Sequence, residues 1–151
     1  MIDHTIGTAR VRFPSSIPIV TEIVSLADVT APEIPAALGA RIKGGVISIG
    51  NFDGVHRGHA SLLKQTVGLA TEIGGPSIAC LFDPHPITIL RPELAPKRLT
   101  SVAERARRMK QLGVDFLVVC ETSSKLLGLT ATEFYSALVV DALMCRGMVE
   151  V

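Results

Sequence analysis

The segment Gly50-Asn51-Phe52-Asp53-Gly54-Val55-His56-Arg57-Gly58-His59 carries more information than any other part of this chain. A short run of β-formers, Val46-Ile47-Ser48-Ile49, precedes it. Behind it Leu62, Leu63, Val67, Ala70 and Ile73 recur at the spacing of an amphipathic helix. A strand that ends in a glycine-bearing loop and turns into a helix forms an anion site. The first helical amides lack intrahelical partners, and the helix dipole places partial positive charge at that end. Two of the chain's four histidines, His56 and His59, fall in this turn with Gly58 between them. The segment therefore reads as a place where phosphate groups are handled.

The rest of the chain extends the same alternation. Gly74-Gly75-Pro76 ends the helix that starts near Gly58, and Ser77–Phe82 follows as a strand that is apolar along its length, as in a parallel sheet buried on both faces. The Asp83-Pro84-His85-Pro86 loop leads to Ile87–Leu90 and a break at Arg91-Pro92. Ser101 and Glu104 match a capping box, predicting a helix from about Val102 to Leu112, with Gly113 as its stop. Val114–Cys120 is a third apolar strand. Thr130 and Glu133 match a second capping box, for a helix reaching about Met144, and Met148–Val151 begins another strand. Upstream, Ile17–Val24 reads as a first or edge strand, and 28–45 as a connection with a short helical turn at Ala36-Ala37-Leu38. Residues 1–16 read as a loosely held arm.

Such alternation implies an α/β fold: a Rossmann-like, doubly wound parallel sheet with right-handed crossovers. Ligands in these sheets bind beyond the carboxyl ends of the strands. The loops at 50–59, 83–86 and 121–124 would meet there.

At 151 residues the chain suits one domain. Its 48% hydrophobic and 19% charged content excludes a disordered protein. A net charge of +1 gives no footprint for nucleic acid or an anionic membrane surface, while leaving room for a small anionic ligand. No apolar run approaches the ~20 residues of a membrane span, and the N-terminus has no signal-peptide pattern. Cys80, Cys120 and Cys145 are too few and too widely spaced for a disulfide framework or a zinc signature, which suits a reducing cytoplasm. Nothing in the pattern specifies an oligomeric state.

G-x-F-D-G-V-H-x-G-H followed by leucines resembles the nucleotidylyltransferase superfamily. With Asn51 and Gly54-Val55 it looks like the adenylyltransferase domain of the prokaryotic bifunctional riboflavin kinase/FAD synthetases. Leu81-Phe82-Asp83-Pro84-His85-Pro86 is similar to that family's F-x-P-H-P loop, Arg98-Leu99-Thr100-Ser101 with Glu104 to its R-L-T-S/T-x-x-E segment, and Leu112-Gly113-Val114-Asp115 to its L-G-V-D. The resemblance runs from about Gly45 to Val151.

The resemblance implies the reaction FMN + ATP → FAD + pyrophosphate, with Mg²⁺ held mainly by phosphates and water. His56 and His59 would donate to the ATP phosphates as the catalytic pair. Gly50, Asn51, Phe52, Asp53 and Gly58 would complete the nucleotide side. Phe82, Pro84, His85, Arg98 and Thr100 would belong to the flavin side. Each residue also has a plainer role. The histidines could cap a helix, Asn51 and Asp53 suit a turn, and Phe52 suits a core. His85 could face water, Arg98 could be a surface charge, and Thr100 could help cap the next helix. The run Arg105–Lys110 reads most simply as the solvated face of its helix.

The family pattern would continue past Val151 with an N-F-R-F-G-like loop, a helix and a serine-rich S-S-T-x-I-R segment. The expected organisation is thus an arm at 1–16 and a partial FMN adenylyltransferase domain at 17–151, lacking its C-terminal part and the riboflavin kinase domain. Alternatives are a pantetheine-phosphate adenylyltransferase or a cytidylyltransferase of the same superfamily, and a non-catalytic nucleotide-binding module.

Overall fold

The computed structural model describes residues 21–27 and 34–150. The arm expected at 1–16, and residues 17–20 of the first expected strand, lie outside the described residues. Strand β1 (Glu22–Ser25) is followed by helix α1 (Ala36–Ile42), two turns where the sequence suggested a shorter one. Strand β2 (Val46–Ile49) leads through a 3₁₀ turn (Asp53–Val55) into helix α2 (Arg57–Ile73). Gly74 closes α2 in the left-handed conformation expected of a C-terminal glycine (φ 70°).

Strand β3 (Ser77–Asp83), short helix α3 (Pro86–Leu90), a 3₁₀ turn (Pro92–Leu94) and helix α4 (Val102–Gln111) come next. Strand β4 (Phe116–Glu121) is followed by α5 (Ser124–Leu127), a single turn that the sequence did not reveal. Helix α6 (Ala131–Tyr135) starts at the expected capping box, with both reciprocal bonds between Thr130 and Glu133 in place. It then widens into a π-helical stretch, Ser136–Ala142. Strand β5 (Gly147–Met148) ends the described chain, its pairing extended by the Val149 amide, which donates to the Ile47 carbonyl (2.9 Å).

All strand pairs are parallel, in the order β1-β4-β3-β2-β5, with β1 at an edge. Alternate side chains of the strands feed two cores. On one face Ile47, Ile78, Cys80, Val118 and Cys120 pack with Ile42 of α1 and with Leu138, Val139 and Leu143. On the other, Ala79, Leu81 and Leu117 pack with Leu62 and Leu63 of α2 and Ala106 and Met109 of α4. This two-sided burial is why the strand sequences are apolar throughout rather than alternating. Cys80 and Cys120 are buried, free, and in contact at 3.4 Å between sulfurs; Cys145 is half-buried and also free.

The order of the strands fixes where a ligand can go. The chain moves β2 to β3 to β4 in one direction, with α2 and α4 on one face. It then returns by the α6 side to place β5 against the far side of β2. The direction of winding reverses between β2 and β5, and a crevice opens beyond the carboxyl ends of the strands at such a point. The loop after β2 holds the histidine pair. Asp115, from the L-G-V-D match, lies at the opposite edge. There its carboxylate accepts from the Ser77 amide and hydroxyl (2.8 Å each), tying the starts of β3 and β4 together.

Candidate active site

The histidine turn begins as β2 ends. The Gly50 amide still donates to the Cys80 carbonyl of β3 (3.0 Å), which anchors the loop to the sheet. Phe52 then turns inward and is fully buried among Leu62, Leu63 and Met109. It was expected among the nucleotide-contacting residues; its ring instead lies in the core, edge-on to His59 (centroids 5.3 Å, 68°), presenting no surface to a ligand. After the 3₁₀ turn, His56 is the N-cap of α2, its backbone extended (φ −68°, ψ 177°). The amides of Gly58 and His59 donate to its Nδ1 at 3.2 and 3.4 Å. An imidazole therefore takes the place usually held by Ser, Thr, Asp or Asn. A Cβ on residue 58 would lie 3.2 Å from Cε1 of this ring, so glycine lets the histidine cap the helix.

His56 and His59 stack face to face, with centroids 3.6 Å apart and planes at 22°. Because His56 Nδ1 accepts hydrogen bonds, its neutral form carries the proton on Nε2. His59 Nδ1 is buried with no hydrogen-bond partner among the described residues. With Nδ1 closed off in the interior, Nε2 is the His59 nitrogen left to meet a ligand. Burial lowers the His59 pKa below the ordinary histidine value; the adjacent His56 lowers it further, and Asp53 partly opposes both. The pair thus places its Nε2 atoms beside the N-terminus of a 17-residue helix, whose Gly58 and His59 amides are taken by His56.

The turn is gripped from α4 and from the segment that leads into it. The Asp53 carboxylate accepts from the Leu99 amide (2.9 Å), the Thr100 amide (3.0 Å) and the Thr100 hydroxyl (2.8 Å). These partners lie 46 and 47 residues away, so Asp53 is more than a local turn-former. Thr100 Oγ1 also accepts from the Gly54 amide (2.9 Å) and from Arg105 Nε (3.2 Å). Its one donor and both lone pairs are then in use. Thr100, expected on the flavin side, supports the histidine turn, and its hydroxyl has no capacity left for a ligand.

Arg105 corrects the sequence reading most sharply. Rather than lying on a solvated face, it is 2% exposed. Besides its bond to Thr100 Oγ1, it donates to the Asn51 carbonyl (3.1 Å) and the Thr100 carbonyl (3.0 Å), and it faces Asp53 at 3.6 Å. Arg108 donates to the Gly54 carbonyl (2.6 Å). A pattern in the sequence could have revealed Arg105. Val102, Ala106 and Met109 form the inward stripe of α4, and position 105 falls within it. Burial alone would raise the Asp53 carboxyl, but the Leu99 and Thr100 hydrogen bonds and the Arg105 cation overcome it and hold the group below its usual value. Ser101 caps α4 through the Glu104 amide (3.1 Å). The expected reciprocal bond does not form, because Arg107 and Arg108 take the Glu104 carboxylate and hold its pKa at about 2.

The second loop lies at the end of β3. Asp83-Pro84 is a cis peptide, and Arg98 pairs with the Asp83 carboxylate, so this segment is tied to the Phe82–Pro86 loop. The Thr122 hydroxyl donates to the Pro84 carbonyl. His85 is half-buried and caps α3, with the Ile87 amide donating to Nδ1 (3.1 Å). Phe82 lies 5.5 Å from Phe134, and both line an apolar cavity of about 630 Å³ with Ile49, Pro86, Leu126 and Tyr135. A cavity of this size falls within the range of small-molecule and cofactor sites. No group of His, Cys, Asp and Glu among the described residues is arranged to hold a metal ion by itself.

Several known proteins are similar to this chain. The chain is 41% identical over 101 residues to a bifunctional riboflavin kinase/FMN adenylyltransferase of Pseudomonas fluorescens, covering 67% of this chain and 32% of that protein. It is 38% identical over 104 residues to the protein of the same name in Escherichia coli K12, covering 69% of this chain and 33% of the relative. The chain thus spans about a third of the length of these relatives. Among solved structures it resembles a crystal structure described as a macrolide-efflux protein from Streptococcus pneumoniae, with a TM-score of 0.63 and 26% identity over 84% of this chain and 40% of the other. The FAD synthetase family pattern matches residues 40–150, which include the histidine turn, its α4 grip and the cavity-lining loop. This chain belongs to the FAD synthetase family.

Proposed function

We propose that residues 17–151 form part of the adenylyltransferase domain of an FAD synthetase, and that its site joins FMN and ATP to give FAD and pyrophosphate. The observation that supports this most directly is the stacked His56–His59 pair at the α2 N-terminus, one loop away from an apolar cavity walled by Phe82 and Phe134. The cavity suits a flat aromatic ring system, and the helix end suits a chain of phosphates. FMN carries both kinds of group, and its phosphate would approach the nucleotide from the Phe82–Pro86 side.

In the reaction a phosphate oxygen of FMN attacks the α-phosphorus of ATP in line. The new P–O bond forms as the bond from the α-phosphorus to the bridging oxygen of the leaving pyrophosphate breaks. The nucleophile is already anionic, so no strong base is needed. The difficulty is crowded negative charge, and positioned donors lower the barrier by meeting that charge as it develops. The Nε2–H groups of His56 and His59 are those donors, joined by the positive end of the α2 dipole, since the Gly58 and His59 amides already donate to His56 Nδ1. Burial and the neighbouring His56 lower the His59 pKa, which favours its neutral, hydrogen-bonding form in the free site. Asp53 and Thr100 act by shaping the turn. Mg²⁺ enters with ATP as part of the substrate complex, bound by phosphates and water. Free thiols at Cys80, Cys120 and Cys145 suit a reducing cytoplasm, where we place the protein. No helix among the described residues is long and apolar enough to cross a membrane.

The test is to incubate the protein with FMN, ATP and Mg²⁺ and separate the flavins. FAD should form, and His59→Ala should lower the rate by about 10²–10³, as loss of one positioned donor does. No FAD, with flavin fluorescence unchanged on adding the protein to FMN, would overturn the proposal.

A further inference from the structure

The histidine turn is a strained piece of backbone. Phe52 (φ 52°), Gly54 (φ 76°) and Val55 (φ 44°) all lie in the left-handed region. Glycine accepts that conformation, but a β-branched valine is a real outlier there, and a phenylalanine is uncommon. Such a turn persists only where its surroundings over-determine it. The restraints converge on the strained residues and their immediate neighbours. Arg105 holds the Asn51 carbonyl, just before Phe52. Thr100 holds the Gly54 amide, and Arg108 the Gly54 carbonyl, just before Val55. Asp53, between them, is held by Leu99 and Thr100.

We infer that Arg105, assisted by Arg108, is a positioning residue: from α4 it holds the strained Phe52–Val55 turn in the shape that stacks His56 on His59. The inference rests on the proposed function for its effect on catalysis, though its structural half can be measured independently. A merely stabilising arginine would join one helix to another. Arg105 instead ends on the Asn51 carbonyl, where the turn begins, and on the carbonyl and hydroxyl of Thr100, the residue that holds the turn's amide. Around its guanidinium the charged groups are Asp53, which favours the cation, together with the more distant Arg98 and Asp83. Its geometry therefore depends on Asp53, and the turn in which Asp53 sits depends on Arg105. The histidines at its end are set by α4 as much as by their own helix.

The test compares the wild type with Arg105→Met and Arg105→Lys by imidazole NMR, circular dichroism and flavin turnover. In Arg105→Met the ring-current displacement of the His56 and His59 signals should collapse while His85 stays unchanged. Its kcat should fall by about 10², with KM for FMN within about threefold, because a misplacement near 1 Å has that effect on rate. Arg105→Lys, which keeps the cation but gathers its donors on one nitrogen, should recover the stacked signals and kcat in part. Retention of the wild-type signals and kcat in Arg105→Met would overturn the inference. Equal damage in both variants, with histidine signals unmoved, would also overturn it, by showing a structural role alone. Should Arg105→Met fail to fold, Arg108→Gln removes the Gly54 carbonyl contact from a half-exposed position and should show the same pattern at about tenfold. Wild-type protein that forms no FAD and leaves flavin fluorescence unchanged would refute the proposed function, and the histidine signals would still decide the role of Arg105.

Discussion

Replacing Asp53 by asparagine tests how the turn is held, because the change keeps the shape of the side chain and removes its charge. One carboxylate oxygen accepts from the Thr100 amide and hydroxyl, and the other from the Leu99 amide. Asparagine has one acceptor oxygen. Its NH₂ group must therefore oppose a backbone N–H, and the outer position facing Leu99 is the less costly choice. Leu99 is 76% exposed, so water can take over that bond at little cost. The larger loss is at Arg105, whose buried cation faces Asp53 at 3.6 Å. Removing one partner of a buried pair costs about 3–5 kcal/mol. The Asp53 side chain keeps 18% of its surface in water, which lowers the expected destabilisation to about 2–4 kcal/mol.

Urea unfolding should show this as a lower midpoint at unchanged slope. In thermal melts the change corresponds to a Tm lowered by about 5–15 °C for a domain of this size. The pH dependence has a definite sign. The Asp53 pKa is lower folded than unfolded, so the unfolded state binds more protons in the acid range. The stabilisation is complete above the unfolded value of 3.8 and is lost as pH falls through the folded value. The gap between wild type and Asp53→Asn should therefore be widest near neutrality and close in strong acid. A gap below about 0.5 kcal/mol at pH 7, or one that does not shrink on acidification, would refute the assignment of Asp53 as the counter-charge of Arg105.

Gly58→Ala would place a methyl group 3.2 Å from the His56 ring. It should lower kcat by about tenfold while leaving Tm unchanged or slightly raised, since alanine is the better helix residue by about 0.5–1 kcal/mol. Phe134→Ala removes one aromatic wall of the cavity, and FMN titration should show about tenfold weaker binding, the equivalent of losing one aromatic contact of about 1.4 kcal/mol. Thr130→Ala breaks the capping box of α6 and should lower stability by about 0.5–2 kcal/mol in urea and weaken FMN binding, since Thr130 lines the cavity and α6 carries Phe134.

The alternation of strands and helices was legible because each strand is buried on both faces and each long helix carries its own stop, as at Gly74 and Gly113. The histidine turn was legible because its chemistry is local: strand, glycines, histidines and helix follow one another within a few residues. What was not legible depends on distance along the chain. The partners of Arg105 are 5 and 54 residues away, and a run of arginines looks solvated until the apolar stripe beside it is traced. Thr100 seemed to belong with its neighbour Arg98, yet the two part company. Arg98 reaches Asp83 at the end of β3, while Thr100 turns toward the loop after β2. The widening of the last helix at Ser136–Ala142 depends on how it packs on the sheet, which no local pattern encodes.

The sulfur contact between Cys80 and Cys120 gives this protein an internal clock for its own opening. Hydrogen bonding to Cys120 and burial push the Cys80 thiol well above its ordinary value, and burial pushes Cys145 up to about 12. Alkylation requires an exposed thiolate, so folded molecules should react only in the moments when β3 and β4 come apart. The rate at which an alkylating reagent consumes Cys80 and Cys120 then measures the rarest excursion of the sheet. The reagent's attack on Cys145 measures the lesser fraying of the segment leading into β5. With mass spectrometry to tell the sites apart, one labelling experiment would rank the stability of the sheet's centre against its edge.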